Sequence, residues 1–118
     1  MLSDADLERY ARQVIMPDMG EAGQEALLAA RVLIVGAGGL GAPVLLYLAS
    51  AGIGSITIID DDIVSRSDLN RQIIYQTEDI GSQKVEQAAA AAKKLNPDIT
   101  ISTLPVRATI GNIRKLVA

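Results

Sequence analysis

The chain alternates short apolar runs with longer amphipathic stretches, and these two periods assign most of its elements. Val32-Leu33-Ile34-Val35 and Ile56-Thr57-Ile58-Ile59 have strand length, and the first, four consecutive large aliphatics, is expected to be buried on both faces. Ile99-Thr100-Ile101-Ser102-Thr103-Leu104-Pro105 alternates instead, as an edge strand does. Helical spacing governs the stretches between them. Leu45, Leu46, Leu48 and Ala49 precede an Ala51-Gly52 stop, and Val85, Ala88, Ala89, Ala92 and Leu95 form an inward stripe from about Ser82 to Leu95, ended by Asn96-Pro97. Ahead of the first strand, Leu7, Tyr10, Ala11, Val14 and Ile15 predict a single helix over about residues 4–15. Ser3 and Asp6 open it as a capping box. Glu21 to Ala30 reads as a second helix with Leu27 and Leu28 inward, Ser67 to Arg71 as a helical turn, and Thr109 as the cap of a final helix carrying Ile110, Ile113, Leu116 and Val117.

Strand, helix, strand, helix, strand is an α/β order. It predicts a Rossmann-like half of a doubly wound sheet, with parallel strands in the order 3-2-1, over residues 31–118, preceded by an N-terminal helical arm over residues 1–30. The strand that would lie on the other side of Val32 to Val35 is missing. The domain is therefore expected to be truncated at its C-terminal end, or to have that edge covered by another chain.

The chemistry concentrates where the first strand ends. Gly36, Gly38 and Gly41 occupy the glycine positions of G-x-G-x-x-G, with Gly39 between them, and Asp60 closes the second strand about 20 positions further on. Glycines there let the chain turn tightly and let a phosphate approach the backbone, while the following helix presents free N–H groups and the positive end of its dipole. The carboxylate suits ribose hydroxyls. Lys84 stands in the first turn of the third-strand crossover helix, where a cation meets the positive dipole end at a cost of roughly 0.3 to 1 kcal/mol unless an anion offsets it. Lys84 is accordingly a candidate phosphate ligand, the alternative being a lysine reaching into solvent. Asp60, Asp61 and Asp62 adjoin one another and call for solvent, a ribose, a metal or an arginine to offset their repulsion. Arg9 and Arg12 fall off the apolar stripe of the arm and, on position alone, read as a solvated face paired with Asp6 and Glu8.

Composition narrows the choices. With 118 residues, 49% of them hydrophobic, the chain can build one core, and three Tyr without Phe or Trp leave that core to Ala, Leu, Ile and Val. A formal net charge of -3 argues against non-specific nucleic-acid binding, and the lack of a leader-like or membrane-length apolar run predicts a cytoplasmic protein without a membrane partner. The chain contains no Cys and no His. Within it there is consequently no thiolate, disulfide or imidazole chemistry, and catalysis must rely on positioning and charge.

Taken together, Arg9-Tyr10-Ala11-Arg12-Gln13, Gly20 to Gln24, Gly36 to Gly41, Leu48 to Gly54, Asp60-x-Asp62, Asn70-Arg71-Gln72, Gly81-Ser82-Gln83-Lys84 and Leu95-Asn96-Pro97 closely resemble the ThiF/MoeB/HesA family, bacterial relatives of the ubiquitin-activating enzymes. The resemblance covers nearly the whole chain. It implies ATP and Mg2+ as cofactors and adenylation of the C-terminal Gly-Gly carboxylate of a ubiquitin-like sulfur carrier protein, in thiamine or molybdopterin biosynthesis, by a homodimer. It also implies roles. Gly36, Gly38, Gly39 and Gly41 would bind the nucleotide with Asp60, Asp62 and Asn70, Arg71 and Lys84 would be the cations on the triphosphate, and Arg12 would cross to a partner's ATP, against the solvated-face reading.

Family zinc ligands and the metal-binding Asp would lie beyond Ala118, so no metal ligand is assigned within the chain, and the fragment alone is expected to be inactive. One position departs from the family pattern. Asp68 stands where the family usually has Asn, and an ionised Asp cannot donate to a phosphate, so weaker ATP affinity or a competing pair with Arg71 is expected. The same fingerprint leaves an NAD-dependent dehydrogenase domain or a non-catalytic scaffold docking a ubiquitin-like protein as alternatives.

Overall fold

A computed structural model describes residues 1–118. Helices α1 (Asp4–Arg9), α2 (Ala11–Val14) and α3 (Gly20–Ala29) precede β1 (Arg31–Val35), α4 (Gly41–Ala51), β2 (Ser55–Ile59), α5 (Lys84–Leu95), β3 (Thr100–Leu104) and α6 (Ile113–Val117). All strands pair in parallel in the spatial order β1-β2-β3, with Val32 opposite Ile56 and Ile56 opposite Ile101. This is the expected half-sheet. Its core lies on one face, where Ile34, Ile56 and Ile58 meet Leu45 and Ala49 of α4 and Val85, Ala88 and Ala92 of α5. Alanines there let the two helices sit close together and close to the sheet.

Three sequence expectations change. The predicted single helix over 4–15 is broken at Tyr10, whose φ of -105° and ψ of 15° turn the chain so that its ring is buried while Ile15, on the supposed inner stripe, is exposed. The strand β1 is covered on one face only: Ile34 is buried but Val35 is 57% exposed, because the opposite face meets little beyond Leu116 and Val117. The last helix begins at Ile113 rather than after Thr109. Thr109 and Asn112 instead bind each other's backbone N–H in a turn, and Ile110 is fully exposed.

The arm is fastened to the α/β unit by polar groups at the C-terminal ends of α4 and α5. Gln13 Nε2 donates to Gln24 Oε1 (2.7 Å) and to the Ala51 carbonyl (3.0 Å), which also accepts from Gln24 Nε2 (3.1 Å). Asn96, fully buried after α5, donates through Nδ2 to the Tyr10 hydroxyl and to the Ala49 carbonyl, each at 2.8 Å. These bonds satisfy the Ala51 carbonyl, which the helix end leaves unpaired, and add a second donor to the Ala49 carbonyl already bound by Gly52 N–H. Gly52 ends α4 at φ 90°, and a Cβ there would lie 2.7 Å from the Tyr10 ring and 2.6 Å from Gln24 Nε2. Leu95, expected inward, is exposed, and Arg9 reaches across to its carbonyl and to Asp98 instead of pairing with Asp6 or Glu8. Backbone bonds tie α3 onward: Gly54 N–H donates to Leu27 O and Ser55 N–H to Ala30 O, with Gly54 so close that a Cβ would lie 1.7 Å from Leu28 O.

Candidate functional site

The chain leaves β1 through a turn that no other residue type could reproduce at two positions. Gly36 has φ 100°, and a Cβ on Gly41 would lie 1.8 Å from the Gly36 carbonyl oxygen. Ala37, fully buried, is fixed at both polar groups: its N–H donates to Asp60 Oδ2 at 2.8 Å and its carbonyl accepts from the Tyr75 hydroxyl. The next three N–H groups, of Gly38, Gly39 and Leu40, have no partner in the protein. Space where a Cβ of Gly36 or Gly39 would sit is clear for 4 Å, and near Gly38 there is only the Gln72 amide. Free donors, open space and the N-terminus of an 11-residue helix together make a cradle for an anion such as a nucleotide phosphate.

Beside this cradle, two irregular segments meet. Residues around Ile63 pair with Gln83 in an antiparallel bridge, Lys84 N–H donates to the Asp62 carbonyl (3.1 Å), and Val64 N–H to the Ser82 carbonyl (2.9 Å). That pairing delivers Lys84, the first residue of α5, to the carboxylates. Its Nζ lies 3.0 Å from Asp62 Oδ2 and 3.4 Å from Asp68 Oδ2, and its side chain is 5% exposed. Lys84 is therefore not the solvent-reaching lysine of the alternative reading. Burial works against its ammonium form, but the hydrogen bond and charge of Asp62, with Asp68 adding to them, hold its pKa above the ordinary lysine value. Asp62 is held below the usual carboxylate range first by the Lys84 hydrogen bond and then by Ile63 N–H. Asp68 is held low chiefly by the Ser65 N–H, against a smaller opposing effect of burial and with further help from Lys84.

Asp68 does not pair with Arg71 as expected. Its Oδ2 accepts from Ser65 N–H (2.9 Å) and faces Lys84, while its Oδ1 accepts from Gln72 Nε2 (3.4 Å). Arg71 is exposed and turned onto its own loop, donating to the Ser67 carbonyl (2.9 Å) and to Asn70 Oδ1 (3.1 Å). Asp60 braces the turn, with Oδ1 accepting from Asp62 N–H at 2.8 Å. Each Asp60 oxygen keeps a further lone pair for a hydroxyl donor. Arg12 lies exposed on α2, apart from this cluster and without a side-chain partner in the chain.

Two residues complete the site that position and charge alone did not single out. Gln72 is buried against Gly38 with its Oε1 unpaired, and Tyr75 bridges the glycine turn to α5 by reaching Lys84 O at 3.5 Å as well as Ala37 O. Burial, then the charges of Asp60 and Asp68, push the Tyr75 phenol far above its usual pKa, so it acts as a neutral donor. The one signal for Gln72 was its place after Asn70-Arg71. No group of three or more carboxylates is arranged to hold a metal, since Asp60 and Asp62 turn their oxygens to backbone N–H groups and Lys84. The chain thus offers no all-protein metal cage, and a cation such as Mg2+, which takes one or two carboxylates together with phosphate oxygens, would arrive with the polyanion that the free N–H groups suit.

A parallel half-sheet with a glycine turn after its first strand and a helix behind that turn defines a Rossmann-type α/β unit. Comparison with known proteins narrows that class: residues 10–118 match the ThiF family, and the chain belongs to it. It is 44% identical over 117 residues to the SAMP-activating enzyme E1 of Haloferax volcanii, covering 99% of this chain and 43% of that protein. It is also 44% identical over 117 residues to the sulfur carrier protein ThiS adenylyltransferase of Escherichia coli, covering 99% of this chain and 47% of the relative. Among solved structures, it superposes with a TM-score of 0.91 on the E. coli tRNA N6-threonylcarbamoyladenosine dehydratase TcdA in complex with ATP, at 30% identity over 99% of this chain and 47% of that one. The chain thus spans under half the length of these relatives. No helix is long and apolar enough to cross a membrane.

Proposed function

We propose that this chain forms the ATP-binding part of a cytoplasmic adenylyltransferase that activates the C-terminal Gly-Gly carboxylate of a ubiquitin-like sulfur carrier protein. The observation that carries this reading is the buried Lys84 ammonium held beside three unpartnered N–H groups at the start of α4. A diphosphate needs fewer cations than a triphosphate. A lysine fixed beside the cradle and Arg71 on the neighbouring turn fit the larger charge of ATP, about four negative units. In the reaction, a carboxylate oxygen of the carrier bonds to the α-phosphorus as the bond to the bridging oxygen breaks, and pyrophosphate leaves with both bonding electrons. The donors of Gly38, Gly39 and Leu40 hold the phosphates, Lys84 stabilises the charge that grows on the leaving group, joined by Arg71 once it swings away from the Ser67 carbonyl and Asn70, and Asp60 accepts from the ribose hydroxyls.

Magnesium enters this scheme with the nucleotide, where it supplies charge neutralisation. The reading includes a homodimer in which Arg12, free of partners in its own chain, reaches the other copy's nucleotide. Exposed Leu40, Val44, Tyr47 and Ile73 beside the cradle suit such a contact. It also treats residues 1–30 as an arm on a sheet that further strands complete.

The test is carrier-dependent ATP–pyrophosphate exchange by the full-length protein. Exchange that Lys84→Met abolishes supports the proposal, and exchange undiminished by that substitution rejects it. Tighter binding of NAD than of ATP would point to hydride transfer instead, and normal carrier binding without exchange to a scaffold.

A further inference from the structure

Lys84 is linked to the glycine turn through Tyr75 and, by way of Asp68, through Gln72, yet its ammonium is not free. Two carboxylates share its single charge, and one of them, Asp68, is itself immobilised from three directions: by Ser65 N–H at 2.9 Å, by the Gln72 amide at 3.4 Å and by Lys84 at 3.4 Å. The Asp68 side chain is 12% exposed, whereas that of Asp62 is 62% exposed and can turn into solvent. Any phosphate that takes Lys84 must draw it from a fixed carboxylate and leave that carboxylate buried beside a polyanion. A neutral side chain at 68 would impose no such exchange.

We propose that Asp68 is a positioning residue that holds Lys84 in a pre-formed ion pair which the incoming triphosphate must displace, so that it sets the strength of nucleotide capture and its dependence on ligand charge. This rests on the ATP reading above and identifies its affinity-setting residue. Asp68 fixes the position of Nζ, but it also opposes the ligand. Occupancy therefore falls more for ATP than for ADP, and more for ADP than for AMP, relative to a chain with an amide at that position. Gln72 sharpens the effect. Its Oε1 lacks a donor because ionised Asp68 can only accept, whereas Asn at 68 brings an N–H2 group to the same neighbourhood.

The experiment is a double-mutant cycle on the full-length protein. Binding of ATP, ADP and AMP and the KM for ATP are measured for the wild type, Asp68→Asn, Lys84→Met and the double variant, with Asp68→Ser as a second neutral replacement in case Asn alters the loop. Asp68→Asn is expected to tighten ATP roughly 3- to 10-fold, with the gain in KM rather than kcat and a smaller gain for AMP. In the Lys84→Met background the gain should shrink to less than about twofold. A gain of equal size in both backgrounds overturns the proposal, because Asp68 would then repel the nucleotide directly and not through Lys84. Equal gains for ATP and AMP, or no gain with either neutral replacement, also overturn it. If the folded wild type binds none of the three nucleotides, the ATP reading itself fails, which the cycle separates from a failure confined to Asp68.

Discussion

The helices α4 and α5 lie side by side, and the polar groups at their two ends are built on opposite rules. At the C-terminal ends the partners that hold the arm from inside are neutral: Tyr10, Gln13, Gln24 and Asn96 supply amide and hydroxyl groups to each other and to the carbonyls of Ala49 and Ala51, and Arg9 adds a charged contact to the Leu95 carbonyl and Asp98 at the surface. The N-terminal ends carry ionised groups, three N–H donors without acceptors and the unpaired Oε1 of Gln72. Buried polar groups are rarely left unpaired unless something else completes them. The contrast teaches that the motif residues of this chain divide between two tasks. Tyr10, Gln13 and Gln24 hold the arm in place, and Gly36 to Gly41, Asp60 and Lys84 gather the open donors and the buried charge that the proposed nucleotide would use.

The arm-holding end is most sensitive at Gly52. Replacement by Ala forces a side chain into φ 90° and against Tyr10 and Gln24. It should lower stability by about 3 kcal/mol or more, seen as a fall of roughly 10 °C or more in Tm, while nucleotide affinity per folded molecule stays unchanged. The opposite pattern belongs to Lys84→Met, which should reduce pyrophosphate exchange per folded molecule by about 100-fold, whatever Tm it loses from leaving Asp62 and Asp68 without their cation. Tyr10→Phe removes one of the two acceptors of Asn96 Nδ2 and should cost about 1 kcal/mol in denaturant titration, again without effect on nucleotide binding. If Tyr10→Phe weakened ATP binding as much as Lys84→Met, the division into two tasks would be wrong.

The smallest effect is on pH. Asp62 and Asp68 titrate below the ordinary 3.8 in the folded chain, so they bind protons less readily there than when unfolded. Their contribution is present above about pH 4 and is lost as the pH falls through the lower folded values. Denaturation profiles between about pH 2 and pH 6 should therefore flatten in Asp62→Asn.

Much of the fold was legible because it depends on local pattern. The β1 turn, the Gly52 stop, the strand order and the α5 stripe from Val85 to Ala92 all follow from periodicity and glycine placement. The errors arise where distant segments decide. Four aliphatics in β1 do not specify how many faces are covered, since that depends on what lies over the sheet. The kink at Tyr10 was hidden because apolar residues continue on both sides of it, and its cause is a buried partner, Asn96, 86 positions away.

In the site, the glycine turn and Asp60 carry their own sequence signature. The pairing of Lys84 with Asp62 and Asp68 does not, because it comes from an antiparallel bridge between two irregular segments that share no period. Tyr75 was likewise invisible as a site component, and Gln72 showed only as the last residue of a motif, since burial against the Gly36–Gly41 turn is a tertiary fact.

The stitches from Leu27 and Ala30 to Gly54 and Ser55, with Gln13 pinned to Ala51, turn the arm into a spar and not a tether. The guanidinium of Arg12 is thereby carried at a set span from the glycine turn, with only its own rotamers left to be ordered. Under the proposed pairing of two copies, an encounter at that distance asks for alignment of two rigid bodies, not for the capture of a wandering strand.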